Sequence, residues 1–345
     1  MDSENISISD CKELKNNESE DIFENIKSYY LLKKIGNNIK KNRLMKIIKY
    51  SKKIQKRFKL SIKDYKEYLE LFAPIEIEMI PIKNKFGKFM NFLNEESKKY
   101  YHIYLNDDKE EINRNVLKEG DNVEKIKIII DYQIKSFENL FGDCKCVKSI
   151  KFIKFYRTDI NNMNQMFYYS SIKELDLTNL KTNNVTNMSY LFCGSSIEEL
   201  NIFNFNTSNV TTMKGMFLWC TSLKKLNISN FKNNKVVDMS DMFADCESLE
   251  MLDLSDFNTA NVTTMKGMFY GCDILQKLNV SNFNTNNVSD MGGMFCRCFS
   301  LKELDISNFN FDNVTNIKYM FSCCPEELIK KIRPLFKNYR NKNYL

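Results

Sequence analysis

From residue 163 onward the apolar positions recur in fixed phase. Met-x-x-Met-Phe or a close variant appears as Met163/Met166/Phe167, Met188/Leu191/Phe192, Met213/Met216/Phe217 and Met239/Met242/Phe243, then as Met265/Met268/Phe269, Met291/Met294/Phe295 and Ile317/Met320/Phe321. Successive Phe residues stand 25, 25, 26, 26, 26 and 26 positions apart. A period of that size marks stacked units, none of which can close its own core. Each unit combines two spacings. Leu226 and Ile228 sit two apart, as on one face of a strand, and Leu175/Leu177, Leu200/Ile202, Leu252/Leu254, Leu278/Val280 and Leu304/Ile306 repeat this. Val210, Met213, Met216, Phe217 and Cys220 fall at the spacing of one stripe of an amphipathic helix. Thr186, Thr211, Thr263, Ser289 and Thr315 stand where a hydroxyl would cap that helix. The expected unit is strand, turn, short helix, turn, with the strands stacked as a parallel sheet.

The register extends beyond the clean repeats. Val147, Ile150, Phe152, Phe155 and Ile160 fit it, as do Phe137, Leu140, Phe141 and Cys144, and Ile126–Ile130 reads as the first strand. After the last repeat, Pro325-Glu-Glu-Leu328-Ile-Lys-Lys-Ile332 reads as a helix with Pro near its start, placing Leu328, Ile332, Leu335 and Phe336 over the end of the array. Ahead of the array the pattern is helical over 22–71. It then alternates in Ile75-Glu-Ile77-Glu-Met79 and Tyr101-His-Ile103-Tyr-Leu105, as strands do. The expected organisation is a disordered tail at 1–21, a helical and then β-containing module at 22–121, the repeats at 122–324 and a helical cap at 325–345.

Units such as Leu252-Asp-Leu-Ser-Asp-Phe-Asn-Thr-Ala-Asn-Val-Thr-Thr-Met-Lys-Gly-Met-Phe-Tyr-Gly-Cys272 resemble the BspA-type leucine-rich repeat family of bacterial surface proteins and protist BspA-like proteins. The resemblance covers about residues 137–324. It implies an α/β fold, a right-handed leucine-rich-repeat-type solenoid with one short strand and one short helix per unit. It further implies an adhesion or protein-binding role.

Composition narrows the chemistry. The chain has 345 residues, 43% of them hydrophobic, with 26 Phe and 17 Met, enough for a sizeable core. It contains one histidine, His102, which removes most metal, triad and acid–base schemes, so no catalytic, cofactor or metal residue is assigned and no small-molecule substrate is expected. There are eleven cysteines. The start is polar and no stretch reaches the ~20 apolar residues of a membrane span. A cytoplasmic protein with reduced thiols is expected on this basis, with a cell-surface location as the alternative that the family implies. Cys220, Cys246, Cys272, Cys298 and Cys324 occupy one position of the apolar stripe, and Ser170 and Ser195 replace them in two units, which suits a small buried residue better than a ligand.

Fourteen Lys or Arg and one acid lie between Lys33 and Lys66. This segment suits a solvated helix face, or contact with nucleic acid or an anionic membrane. Overlapping its start, Tyr30-Leu-Leu-Lys-Lys-Ile35 followed by Leu44-Met-Lys-Ile-Ile48 is similar to the apolar rhythm of F-box modules, which implies a substrate adaptor of a ubiquitin ligase.

The favoured function is a non-enzymatic interaction scaffold for a protein partner. Candidate contacts are the strand residues that alternation points out of the core: Asp176, Asn201, Asn227, Asp253, Asn279 and Asp305. Asp and Asn form strands poorly. Either a side-chain ladder between turns offsets this, or a partner uses the polar track. Phe203 and Met251 complete the set, because large apolar residues replace the usual polar ones there. Trp219 is the other unusual aromatic. A second column, Asn179, Asn204, Asn230, Asp256, Asn282 and Asn308, has amides placed to bond the loops of adjacent units.

Overall fold

A computed structural model of the chain describes residue 56 and residues 62–106 and 108–336. The expected tail at 1–21, most of the helical pattern from residue 22, the F-box-like segment, most of the basic stretch and the cap beyond residue 336 lie outside the described residues. The chain divides into two units, Met1–Ala73 and Pro74–Leu345. In the first, helix α1 (Ile62–Phe72) carries Asp64 in its first turn, where a negative charge favours the helix dipole.

The second unit begins with a mixed sheet. Strands β1 (Ile75–Pro81), β3 (Tyr101–Leu105), β5 (Ile126–Ile130), β6 (Val147–Lys154) and β7 (Glu174–Asp176) lie in the order β3-β5-β1-β6-β7. A two-residue pair, β2 (Gly87–Lys88) with β4 (Val116–Leu117), lies apart from it. Alternation buries Ile75, Ile77 and Met79 on one face of β1. Ile126–Ile130, which reads as the first strand of the array, pairs antiparallel with β1 and β3. Pairing turns parallel only between β6 and β7. Just past β6, the fully buried Arg157 spreads its guanidinium over Asp159 (2.9 Å), the Asp131 carbonyl (3.0 Å) and the Ile134 carbonyl (2.5 Å). That fork ties the segment after β6 to the turn after β5.

The expected α/β solenoid with a strand and a helix in every unit is not what the chain forms. Among the described residues the repeats contain no helix. Their strands, β8 (Glu199–Asn201), β9 (Lys225–Asn227), β10 (Lys277–Leu278) and β11 (Glu303–Leu304), are two or three residues long and make separate two-stranded pairs. The reason lies in the Met-x-x-Met-Phe segment. Its third residue has positive φ in every repeat (Gln165, Tyr190, Gly215, Asp241, Gly267, Gly293, Tyr319), and so does a second residue four positions later (Tyr169, Gly194, Trp219, Asp245, Gly271, Arg297, Cys323). A right-handed helix cannot contain such residues.

Backbone N–H groups there alternate between two kinds of bond. Met216, Leu218 and Cys220 donate three residues back, to Met213, Gly215 and Phe217. Met213, Gly215, Phe217 and Trp219 donate instead to the next repeat, at Asp238, Ser240, Met242 and Ala244, over 2.8–3.0 Å. The other repeats copy this pattern. Single parallel bridges from Ser136↔Asn162 to Asp290↔Asn316 continue the same registration. The hydroxyls expected to cap helices donate to the preceding repeat, as Thr211 Oγ1 does to the Thr186 carbonyl (3.0 Å) and Thr315 Oγ1 to the Ser289 carbonyl (3.1 Å).

The core of the repeats is a file of phenylalanines. Phe141, Phe167, Phe192, Phe217, Phe243, Phe269, Phe295 and Phe321 stack with ring centroids 5.4–5.7 Å apart. Each aromatic pair adds about 0.5–1.5 kcal/mol to what burial contributes. The neighbouring thiols of Cys220, Cys246, Cys272, Cys298 and Cys324 donate to Phe carbonyls at 3.0–3.3 Å. Both ends of the array are covered. Asn91 donates its N–H to the Leu140 carbonyl (2.7 Å) and its amide to the Asn139 (2.7 Å) and Gly142 (2.9 Å) carbonyls of the first turn. Helix α2 (Glu326–Ile332) follows Pro325 at the far end and buries Leu328 and Ile332. Phe336 packs on Phe311 and Phe321, while Leu335 stays exposed.

Candidate functional site

The strand side of the repeats carries the residues singled out in the sequence. Their polar side chains are already engaged, chiefly within their own turns. Asp176 accepts from the N–H (3.2 Å) and hydroxyl (2.6 Å) of Thr178. Asn201 accepts from the Phe203 N–H (3.2 Å), Asn227 from Ser229 (3.4 Å), Asp253 from Ser255 (3.0 Å), Asn279 from Ser281 (3.1 Å) and Asp305 from Ser307 (2.9 Å). These are Asx turns, in which a side chain bonds the backbone two residues on. They supply what Asp and Asn lack as strand formers. Such donors favour the ionised form: Thr178 and Lys151 hold the Asp176 carboxyl below its ordinary range, and the Ser255 and Ser307 N–H groups do the same for Asp253 and Asp305.

Charge on this side is matched between successive repeats. Lys148 pairs with Glu174 (2.9 Å), Lys151 with Asp176 (3.0 Å), Lys224 with Glu198 (2.9 Å), Lys225 with Glu199 (2.6 Å) and Lys277 with Glu303 (2.8 Å). The second Asn column bonds across repeats. Asn204 reaches the Leu177 carbonyl (2.9 Å), and Asn282 reaches those of Leu254 (3.0 Å), Ser255 (2.9 Å) and Phe257 (3.0 Å). What stands proud of this engaged surface is apolar: Phe203, 53% exposed, and Met251, 78% exposed.

The turn side is irregular. Its two left-handed columns admit glycine freely, and what occupies them differs along the array. In the early repeats aromatic rings fill the space that glycine leaves: the Tyr169 ring lies where a side chain on Gly194 would be, and the Tyr190 ring lies over Gly215. Further on, the Asp241, Asp245 and Asn316 side chains lie against Gly267, Gly271 and Gly292, and the space stays open at Gly293. A Cβ on Gly293 would meet only ordinary contacts, at 3.9 Å. The result is a groove of about 760 Å³, floored by Gly267, Gly292, Gly293, Ala244 and Cys296 and bordered by Trp219, Tyr270, Tyr319, Lys266 and Lys318. Two carboxylates, Asp241 and Asp245, line it. Asp245 accepts from the Trp219 indole N–H (3.1 Å). Burial pushes both carboxyls up despite Lys266 and Lys214 near Asp241 and Arg297 near Asp245. Arg297 lies over the Tyr270 and Phe299 rings, 5.7 Å from each.

A family model described as Mycoplasma protein of unknown function, DUF285, matches residues 135–251 and 249–332, more than half of the chain. The chain belongs to the DUF285 family. No curated protein and no solved structure matches it. The family match replaces the BspA-type leucine-rich-repeat resemblance, and the surface-protein role implied by that resemblance lapses with it. The likeness came from a shared period and shared core residues. In this DUF285 chain those residues serve turns with two left-handed positions each, where the resemblance required a helix.

His102 has carboxylates at both ring nitrogens, Glu111 at 3.1 Å and Asp131 at 3.5 Å. Partial burial lowers its pKa, but hydrogen bonds and charge from the two acids prevail and raise it. Among the described residues no group of three or more His, Cys, Asp or Glu is placed to hold a metal ion, and no helix is long and apolar enough to cross a membrane. Burial pushes the thiols of the cysteine file up, away from the reactive thiolate: that of Cys220 to about 11, and that of Cys324 to about 12. Of the groove residues Trp219 stands out in the sequence as an unusual aromatic and Cys296 as a thiol outside the cysteine file. Asp241, Asp245, Tyr270 and Tyr319 do not, because they stand at positions where the repeats differ.

Proposed function

We propose that this DUF285 chain is a non-enzymatic interaction protein that holds a protein partner in the turn-side groove. The groove carries the reading: aromatic side chains around a floor of glycines, built from positions where the repeats differ. Tyr and Trp set in pockets are the usual anchors of protein interfaces, and concave sites with a few convergent polar groups are the usual places for binding. The strand side offers a partner less, since its charges are matched by neighbours and Phe203 and Met251 stand apart as apolar points. A cytoplasmic, reducing compartment is part of the proposal, supported by buried cysteines that act as thiol donors to carbonyls.

Proximity labelling in cells tests this, with the full chain compared against a Trp219→Ala/Tyr319→Ala variant and a Phe203→Ser/Met251→Lys variant. A partner lost by the first and kept by the second, with both variants unfolding at the wild-type urea midpoint, supports the groove. The reverse pattern moves the site to the strand side, and equal recovery by all three rejects both.

A further inference from the structure

Taking the groove as the docking site, we propose that its occupant is an extended segment of the partner protein whose lysine or arginine side chain is received by Asp241 and Asp245. Charge is the first argument. The Asp241 carboxylate has no hydrogen-bond or ion-pair partner among the described residues, and the Asp245 carboxylate accepts from the Trp219 indole N–H. On the strand side Asp176, Asp253 and Asp305 all have donors. Lys266 and Lys214 act on Asp241 through space but do not close to ion-pair distance. A carboxylate taken partly out of water and left without a donor is restored by an incoming ammonium or guanidinium group.

Aromatic placement is the second argument. Trp219 precedes the two carboxylates by one repeat and Tyr270 follows them by one, so aromatic side chains flank the acids along the groove. Length is the third. From Trp219 to Tyr319 there are four repeat steps, about 19 Å at ~4.8 Å per step, which an extended chain spans in about six residues at ~3.3 Å each. Beyond the acids, Gly293 leaves room for an apolar side chain, since a Cβ there meets nothing closer than 3.9 Å. The recognised pattern is therefore a basic residue beside an apolar one.

Random hexapeptides displayed on phage and selected against the immobilised full-length chain test this, with an Asp241→Asn/Asp245→Asn variant selected in parallel. The expected result is enrichment of Lys or Arg by the wild type and its loss in the variant. A synthetic hexapeptide from the enriched pool should bind the variant about tenfold more weakly or worse. The same peptide with its basic residue changed to Gln should lose binding to the unaltered protein by a similar factor, a measurement that does not depend on the variant folding. No enrichment, enrichment without basic preference, or basic enrichment that persists in the variant overturns the inference. If the Trp219→Ala/Tyr319→Ala variant still loses its cellular partner in that event, the groove remains the docking site and only the basic segment is rejected.

Discussion

Asp253 and Asp241 belong to the same array yet sit in opposite circumstances. Asp253, on the strand side, accepts from the Ser255 N–H and is held below the ordinary carboxyl range. Asp241, on the turn side, is partly buried without a donor and is pushed above it. The difference runs through both surfaces. On the strand side each repeat supplies what the next one needs, so the polar groups serve the stack. On the turn side the left-handed backbone positions tolerate Gly, Asp, Tyr, Trp or Arg, and the surface is left to vary. Regularity marks the structural side, and irregularity marks the side available to a partner.

Removing what both sides share breaks the comparison most severely. Phe243→Ala, in the middle of the ring stack, should cost about 3–5 kcal/mol by urea unfolding, and groove and strand side should be lost together. A cost well below that range would mean that the ring stack is not the common core. Asn282→Ala acts on the strand side alone. It takes the donor from the Ser255 and Phe257 carbonyls, whereas that of Leu254 keeps the Phe257 N–H. The change should cost about 1–3 kcal/mol, while partner recovery through the groove stays unchanged.

A gain is expected at Asn233. It is 1% exposed, and neither amide atom has a hydrogen-bond partner. The equivalent Thr182, Thr207, Thr259 and Thr285 each accept from a backbone N–H of the next repeat at 2.7–2.8 Å. Asn233→Thr should therefore raise stability by about 1–2 kcal/mol, and a lower unfolding midpoint would contradict this.

The smallest effect sharpens the contrast between the acids. Both have an ordinary value of 3.8. The depressed pKa of Asp253 contributes stability above 3.8 that is lost as pH falls through its lower folded value. The raised pKa of Asp241 does the opposite, costing stability at neutral pH and relieving that cost as pH falls from its folded value to 3.8. Asp253→Asn should then destabilise, and Asp241→Asn stabilise, at about pH 7, with both differences shrinking at about pH 3. Unfolding midpoints across that range would show it, and slopes of the same sign would remove the distinction.

The sequence revealed the period, the inward Met and Phe positions and the Asn column that bonds across repeats. It did not reveal the backbone of the Met-x-x-Met-Phe segment. Apolar residues three and four apart fit one face of a helix, and they fit consecutive turns equally well. The left-handed positions were disguised because Gln165, Tyr190, Trp219 and Arg297 occupy them as well as glycine. The Asx turns had a readable signal, since Asp or Asn stands two residues before Ser or Thr in most repeats. The groove required reading down a column to see that Gly267 and Gly293 follow one another in successive repeats, flanked by Asp241 and Tyr319.

The alternating hydrogen bonds of the turns have an electrostatic consequence. The peptide group whose carbonyl is Thr212 accepts from Met188, and its N–H, on Met213, donates to Asp238, so peptide groups join head to tail from one repeat to the next. Four such files begin at Phe137, Asn139, Phe141 and Asp143 and run to the carbonyls of Asn316, Lys318, Met320 and Ser322 without reversing direction. Aligned peptide dipoles add, as they do in a helix. One file, from Thr315 back through Ser289, Thr263, Val237, Thr211 and Thr186, donates the other way. Four files against one leave the array polarised along its stacking direction, negative where Asn91 donates to the first turn and positive at the last repeat, with no helix among its described residues to carry the moment.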